Sequence, residues 1–228
     1  MRARTPEGVP RGVFMTLEGI EGSGKSTHAR RLHEALRARG FVAFLTREPG
    51  GTPLGESLRA LLLGVDGDLP SPEAELYLML AARAQHVRRV ILPRLAAGEV
   101  VISDRFSDAS LAYQGGGRGL GVDRVRALAE AATSGLVPDR TVLVDAPLEE
   151  ALVRVGRRRD RGEGLDRFDR EERAFHARVQ ETYRSLAEAE PDRWIVASSS
   201  EAVDAVAAVI LAAIEPLLED RRARGALA

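Results

Sequence analysis

The sequence predicts one doubly wound α/β domain: a five-stranded parallel sheet with helices on both faces. Three observations carry that prediction. Short, uninterrupted apolar runs alternate with amphipathic stretches from end to end, as strands buried on both faces and joined by helices do. The chain has 228 residues, one α/β domain or at most two small ones. Its hydrophobic content of 44% supports a sizeable core and is too high for a disordered chain.

Residues 1–11, rich in Pro, Gly and Arg, read as a flexible tail, and the domain spans 12–218. An apolar run at 13–17 stops at a glycine-rich turn and reads as the first strand. Residues 25–39 set Ala29, Leu32, Ala35 and Leu36 at helical spacing among arginines, and Gly40 ends that helix. Residues 41–46 form the second strand, closed by Pro49-Gly50-Gly51, and 54–63 a short helix. Ser71 caps a long helix with Pro72 at its first position. That helix runs to about Val90, with Pro93 as a kink or break. Strands follow at 100–103, 141–144 and 194–197, with helices at about 123–133, 147–159, 169–189 and 200–218, and a tail at 219–228. Ligands of such sheets bind at the carboxyl ends of the strands. The segments that follow strands are therefore the candidate site.

Composition excludes several functions. The net charge is −1, which argues against a protein that coats nucleic acid by bulk charge. There is no cysteine, hence no disulfide, thiolate metal site or cysteine nucleophile. The histidines at 28, 33, 86 and 176 are scattered. No apolar run approaches the roughly 20 residues of a membrane helix, and residues 1–12 lack the apolar middle of a signal peptide. The chain reads as soluble and cytoplasmic, with neither nucleic acid nor membrane as partner. Of 33 basic residues only Lys25 is lysine, and asparagine is absent. Where a chain otherwise uses Arg, a lone Lys points to a site that takes a compact ammonium and not a planar guanidinium.

That lysine lies in Gly19-Ile20-Glu21-Gly22-Ser23-Gly24-Lys25-Ser26-Thr27, which matches the phosphate loop G-x-x-x-x-G-K-[ST] between a strand and a helix. Its glycines let successive N–H groups turn inward as an anion nest, and the helix adds its positive end. Lys25 can follow charge on the β- and γ-phosphates, and Ser26 can hold Mg²⁺. Without asparagine or a second lysine, the guanine-reading N-K-x-D of a switch GTPase cannot exist. The third strand instead ends in Asp104-Arg105, an acid for the metal or its waters beside a cation for a second anionic substrate. Arg47, Arg59, Arg83 and Arg105 all follow or face strand ends, and a phosphate monoester between them would explain the convergence.

The strings Glu18 to Thr27, Arg47-Glu48-Pro49-Gly50-Gly51-Thr52, and Asp104-Arg105-Phe106 through Tyr113-Gln114-Gly115 together resemble the thymidylate kinase family, over about residues 12–215. The resemblance implies a P-loop nucleoside monophosphate kinase fold and transfer of the ATP γ-phosphate to dTMP, giving dTDP. ATP then lies on Gly19, Glu21, Gly22, Ser23, Gly24, Lys25, Ser26 and Thr27. Glu21 holds the sugar 3′-hydroxyl, Arg59 and Arg105 grip the dTMP phosphate, and Arg83 hydrogen-bonds the base. Ser110 and Gln114 touch base or sugar, Tyr113 crowds the 2′ position, and Glu48 borders the same substrate. Mg²⁺ is held by Ser26, and through water by Asp104 or Glu48. Met79 stands where the family stacks Phe on thymine, a flexible thioether in place of a ring. Phe106 stands where the family often has Tyr.

A lid at about 155–168 is rich in Arg and contains Gly162 and Gly164, and against the family pattern it is one residue longer than usual near Gly164. The phosphate loop itself carries Gly22 where some relatives carry the assisting Arg. The resemblance is thus to the bacterial type with the assisting Arg in the lid. Arg157 and Arg161 are the preferred candidates, beside Lys25 and Arg105, for the transfer step. Similar enzymes are homodimers that use the long helix around 71–90. Two other readings stand: a kinase of the same fold acting on another acceptor, and an ATP-binding switch without acceptor arginines.

Overall fold

Five apolar runs pair side by side as parallel strands: β1 Val13–Glu18, β2 Ala43–Arg47, β3 Val100–Asp104, β4 Arg140–Asp145 and β5 Trp194–Ser198. In this computed structural model, which describes residues 12–64, 67–161 and 166–227, their order is β2-β3-β1-β4-β5. The expected tail at 1–11, and Gly162, Glu163, Gly164 and Leu165 of the expected lid with its extra residue, lie outside the described residues. Register aligns the strand ends. Asp104 of β3 pairs with Leu17 of β1 on one side and with Arg47 of β2 on the other, so Glu18, Arg47 and Asp104 leave the sheet at one edge.

Side chains alternate across β1. Val13, Met15 and Leu17 pack with Leu32 and Leu36 of α1 (Lys25–Ala38) and with Ile210 and Ile214 of α9 (Val203–Ala223). Phe14 points the other way, onto Ile91, Val101 and Phe106, and meets Phe106 edge-on with ring centroids 4.9 Å apart. Trimming such a fully buried ring to Ala typically costs about 3–5 kcal/mol. The second face is also covered by α3 (Pro72–His86), α6 (Val122–Thr133) and α8 (Arg173–Ala189), through Leu76, Val125, Val179 and Tyr183. The remaining helices are α2 (Pro53–Leu63), α4 (Leu92–Ala96), α5 (Ser107–Ser110) and α7 (Leu148–Asp160).

Several boundaries differ from the sequence expectation, each for a local reason. Pro93 does not break the long helix. α3 passes through a π-helical stretch, Val87–Ile91, into α4, and the Leu92 N–H bonds to the Val87 carbonyl. The wider turn places Pro93, which has no N–H, where none is required. Residues 107–117, to which the sequence reading assigned neither helix nor strand, are helical: α5 continues as a π-helix over Leu111–Gly117. Its glycines defeat a propensity reading, yet close approach to α8 demands them. A Cβ on Gly116 would lie 2.0 Å from Thr182 Oγ1, and one on Gly117 2.7 Å from the Phe175 ring. α8 starts at Arg173, after a 3₁₀ turn at Phe168–Arg170, rather than at 169. α9 runs to Ala223 and Ala226 is buried, so the segment from 219 includes helix and core contact.

Candidate active site

The phosphate loop forms as its residue types require. β1 ends at Glu18 and α1 begins at Lys25, with Gly24 left-handed at its N-cap (φ 96°). Gly22 is also left-handed (φ 74°), and a Cβ there would lie 2.2 Å from the Ala151 carbonyl of α7. The loop thus turns against the backbone of the helix that leads into the lid. Arg154 of α7 donates to the Gly22 carbonyl (3.3 Å). Lys25 Nζ lies 3.5 Å from the Ile20 carbonyl. Burial and then the Arg105 guanidinium push the Lys25 ammonium below its ordinary value, against the pull of Asp104, Glu21 and Glu18.

Around Arg105 a buried polar cluster closes. Arg105 is the residue after β3 and is left-handed (φ 73°), unusual for a side chain with a Cβ. Its Nη2 donates to Glu21 Oε1 (2.6 Å) and to Tyr113 Oη (2.8 Å), and its Nη1 to Tyr183 Oη (3.2 Å). The Tyr113 hydroxyl is 2.7 Å from either oxygen of Glu21. Glu18 holds the turn itself. It accepts from the Phe106 N–H (2.8 Å) and from the Tyr183 hydroxyl (2.7 Å). His176 Nδ1 lies 3.5 Å from Glu21 Oε2. Burial alone would raise the Glu21 pKa, but Arg105, His176, Lys25 and Tyr113 outweigh it and hold the carboxyl well below the usual range. Burial pushes the Tyr113 phenol well above its ordinary value, so it stays a donor.

A second cluster is built on Arg83 of α3, which is 2% exposed. Its Nε donates to Glu48 (2.6 Å), Nη1 to Ser110 Oγ (2.9 Å) and Nη2 to the Phe106 carbonyl (2.9 Å). The other Glu48 oxygen meets His86 Nδ1 at 2.9 Å, and His86 Nε2 meets Thr46 Oγ1 at 2.8 Å. Both oxygens of Glu48 are therefore engaged, one by Arg83 and the other by His86. Arg59 of α2 donates to the Pro49 carbonyl (2.9 Å), and burial followed by Arg47 lowers its pKa. Gln114 donates its amide to Glu75 (2.7 Å).

These groups line one cavity of about 230 Å³. Its wall holds Glu21, Lys25, Ser26, Glu48, Arg59, Met79, Arg83, Asp104, Arg105, Ser110, Tyr113 and Gln114, all expected from the sequence. Gly19, Gly22, Ser23, Gly24 and Thr27 form the loop beside it. Among the described residues, the lid arginine in the wall is Arg158, paired with Asp169 at 2.8 Å, whereas Arg157 and Arg161 are exposed outside it. Asp166, Phe168 and Asp169 also line the cavity and were not expected. The string Asp166-Arg167-Phe168-Asp169 at the end of the lid was their only signal. Glu18, His86, His176 and Tyr183 act from behind the wall, and pattern reading has no motif for such partners.

A family model described as thymidylate kinase matches residues 17–210. The chain is 50% identical over 217 residues to a thymidylate kinase of Desulfovibrio desulfuricans, covering 93% of this chain and 99% of that protein. It is 49% identical over 209 residues to one of Bordetella pertussis, covering 92% of this chain and 97% of that protein. A crystal structure of thymidylate kinase from Ehrlichia chaffeensis superposes with a TM-score of 0.72 at 30% identity, over 90% of this chain and 99% of that one.

Proposed function

The chain belongs to the thymidylate kinase family, and from that premise we propose how its residues divide the ATP-dependent phosphorylation of dTMP to dTDP. One observation carries the reading: the phosphate loop and the two arginine clusters open into the same cavity. A donor site and an acceptor site for phosphate then face each other, the arrangement that in-line transfer needs.

ATP lies on the loop from Gly19 to Thr27, with Lys25 following the γ-phosphate. Arg105 and Arg59 take the dTMP phosphate. Glu21, kept ionised by Arg105, accepts the 3′-hydroxyl, and the Tyr113 ring sits against the 2′ position. Arg83, oriented by Glu48, Ser110 and the Phe106 carbonyl, faces the base over Met79, with Gln114 beside it. The acceptor phosphate is already anionic near neutral pH, so no strong general base is required. Catalysis is positioning together with neutralisation of spreading charge. In the lid, the location of Arg158 in the wall favours it for that neutralisation over Arg157 and Arg161.

Ser26 and Asp104 supply hard oxygen donors beside Lys25, a set that suits Mg²⁺ with its remaining positions filled by water and phosphate. When bound, the ion would neutralise charge on the β- and γ-phosphates. With both its oxygens committed to Arg83 and His86, Glu48 is assigned to the acceptor side and not to the metal. The reading carries a homodimer through α2 and α3 and a cytoplasmic location.

The test is steady-state ADP release with ATP and Mg²⁺ against dTMP, dUMP, CMP, AMP and thymidine, for the wild type and Arg105→Met. We expect preference for dTMP. In the variant, KM for dTMP should rise about 10- to 100-fold, the loss of one or two charge-assisted contacts, with KM for ATP unchanged. An equal rise in both constants would overturn the division of the cavity.

A further inference from the structure

Glu75 of α3 is fully buried and touches neither phosphate site. It nevertheless gathers three separate parts of the molecule. Gln114 Nε2 of the π-helical stretch donates to it at 2.7 Å, Arg118 of the following loop at 3.0 Å, and Arg167 at 2.5 Å. Arg167 in turn is docked on the end of α2: its Nε donates to the Leu62 carbonyl (3.2 Å) and its backbone N–H to the Leu63 carbonyl (3.3 Å). The residues around it form one tight unit. Asp166 Oδ1 accepts from the N–H groups of Phe168 (2.9 Å) and Asp169 (3.1 Å), and Asp169 Oδ2 accepts from the Asp166 N–H (3.1 Å) and from Arg158 (2.8 Å).

A buried charge held only as a brace is a poor choice, because desolvation offsets most of what the pairing gains and apolar side chains of similar volume do as well. What apolar packing cannot do is tie two polar groups that face different substrates. Gln114 lines the cavity on the acceptor side, and Asp166, Phe168 and Asp169 line it on the lid side. Glu75 hydrogen-bonds Gln114 itself, and on the lid side Arg167, the residue between Asp166 and Phe168.

We propose that Glu75 is a positioning residue for phosphoryl transfer: one buried carboxylate that holds Gln114 against the acceptor base and Arg167 at the root of the lid, so that an ordered acceptor orders the segment carrying Asp169 and, through it, Arg158. The proposal rests on the assignment of Gln114 to the acceptor and Arg158 to transfer. Displacement of Gln114 by a base is felt at Arg167 through a single side chain, a continuous physical path of the kind that couples two sites.

Glu75→Gln would leave the Arg167 guanidinium without its anion and Arg118 with Glu171 alone, a change that can stop the chain folding, so the primary variant is Arg167→Met, which keeps Glu75 paired with Arg118 and Gln114. Three quantities are read on the full chain: dTMP affinity by calorimetry, kcat, and the rate of tryptic cleavage at the arginines of 154–161 with and without dTMP. For Arg167→Met we expect dTMP affinity within about twofold of wild type and kcat lowered about 100-fold, as small misplacements of a transfer group do. dTMP should slow lid cleavage in the wild type and not in the variant. A variant that only melts earlier, with kcat and dTMP protection kept, overturns the proposal. Arg158→Met separates the two claims. Loss of kcat there, with kcat kept in Arg167→Met, overturns the anchor. Loss in Arg167→Met with kcat kept in Arg158→Met overturns the proposal at its premise, the assignment of Arg158 to transfer.

Discussion

Glu18 is the last residue of a strand with no exposed side chain, and its carboxyl fastens the left-handed turn at Arg105. Burial, then repulsion from Asp108, push its pKa from 4.5 up to about 8, against Arg105, Tyr183 and the Phe106 N–H. The folded chain thus keeps a proton that the unfolded chain releases across that window. The stability it contributes is fully present below about pH 4.5 and is lost as pH rises through about 8. Glu21, held low, acts in the opposite sense: its contribution is present above the unfolded carboxylate value and is lost as pH falls below it. Thermal melts should therefore fall from about pH 5 to pH 8, and Glu18→Gln should flatten that slope by up to about 1 kcal/mol per pH unit. An unchanged slope would show that Glu18 is ionised throughout. Cavity-lining residues such as Glu21, Lys25, Glu48, Asp104 and Arg105 were legible in the sequence because they sit in fixed strings at strand ends. Glu18 also sits in such a string, but its partners Phe106, Tyr183 and Arg105 are distant in the chain, so only the fold reveals its work.

At the level of elements, the contact between Gly22 and α7 sets the distance between the phosphate loop and the lid helix. A methyl group at 22 would need both a left-handed L-residue and displacement of the Ala151 carbonyl. Gly22→Ala should raise KM for ATP at least about tenfold, the effect of roughly 1.4 kcal/mol, with a smaller change in KM for dTMP; comparison of the two constants checks it. The same contact leaves no room for an arginine at this loop position. All five strands were legible as short apolar runs, uninterrupted where β1, β3 and β4 are buried on both faces. The helix over 107–117 was not, because its glycines answer to Thr182 and Phe175 of a helix some 60 residues on. Arg158 could not be chosen over Arg157 and Arg161 by pattern either. Its partner Asp169 lies beyond the lid, and the choice depends on how α7 is rotated.

On the scale of the whole molecule, α2 and α3 lie side by side and leave Leu54, Leu61 and Tyr77 in solvent, with Leu61 64% and Tyr77 54% exposed. Apolar groups on adjacent helices are what a second copy would cover. Tyr77→Asp should shift the chain from dimer to monomer in sedimentation equilibrium; a wild-type monomer would remove the dimer from the reading. The molecule also carries a single lysine, set in the wall of its reaction cavity with its ammonium destabilised by burial and by Arg105. Every other side-chain cation is a guanidinium or an imidazole. Reagents that acylate primary amines therefore meet one internal target, apart from the chain's own amino terminus. Nucleotide on the phosphate loop should shield it, so the mass gained beyond the amino-terminal adduct counts chains whose cavity is vacant.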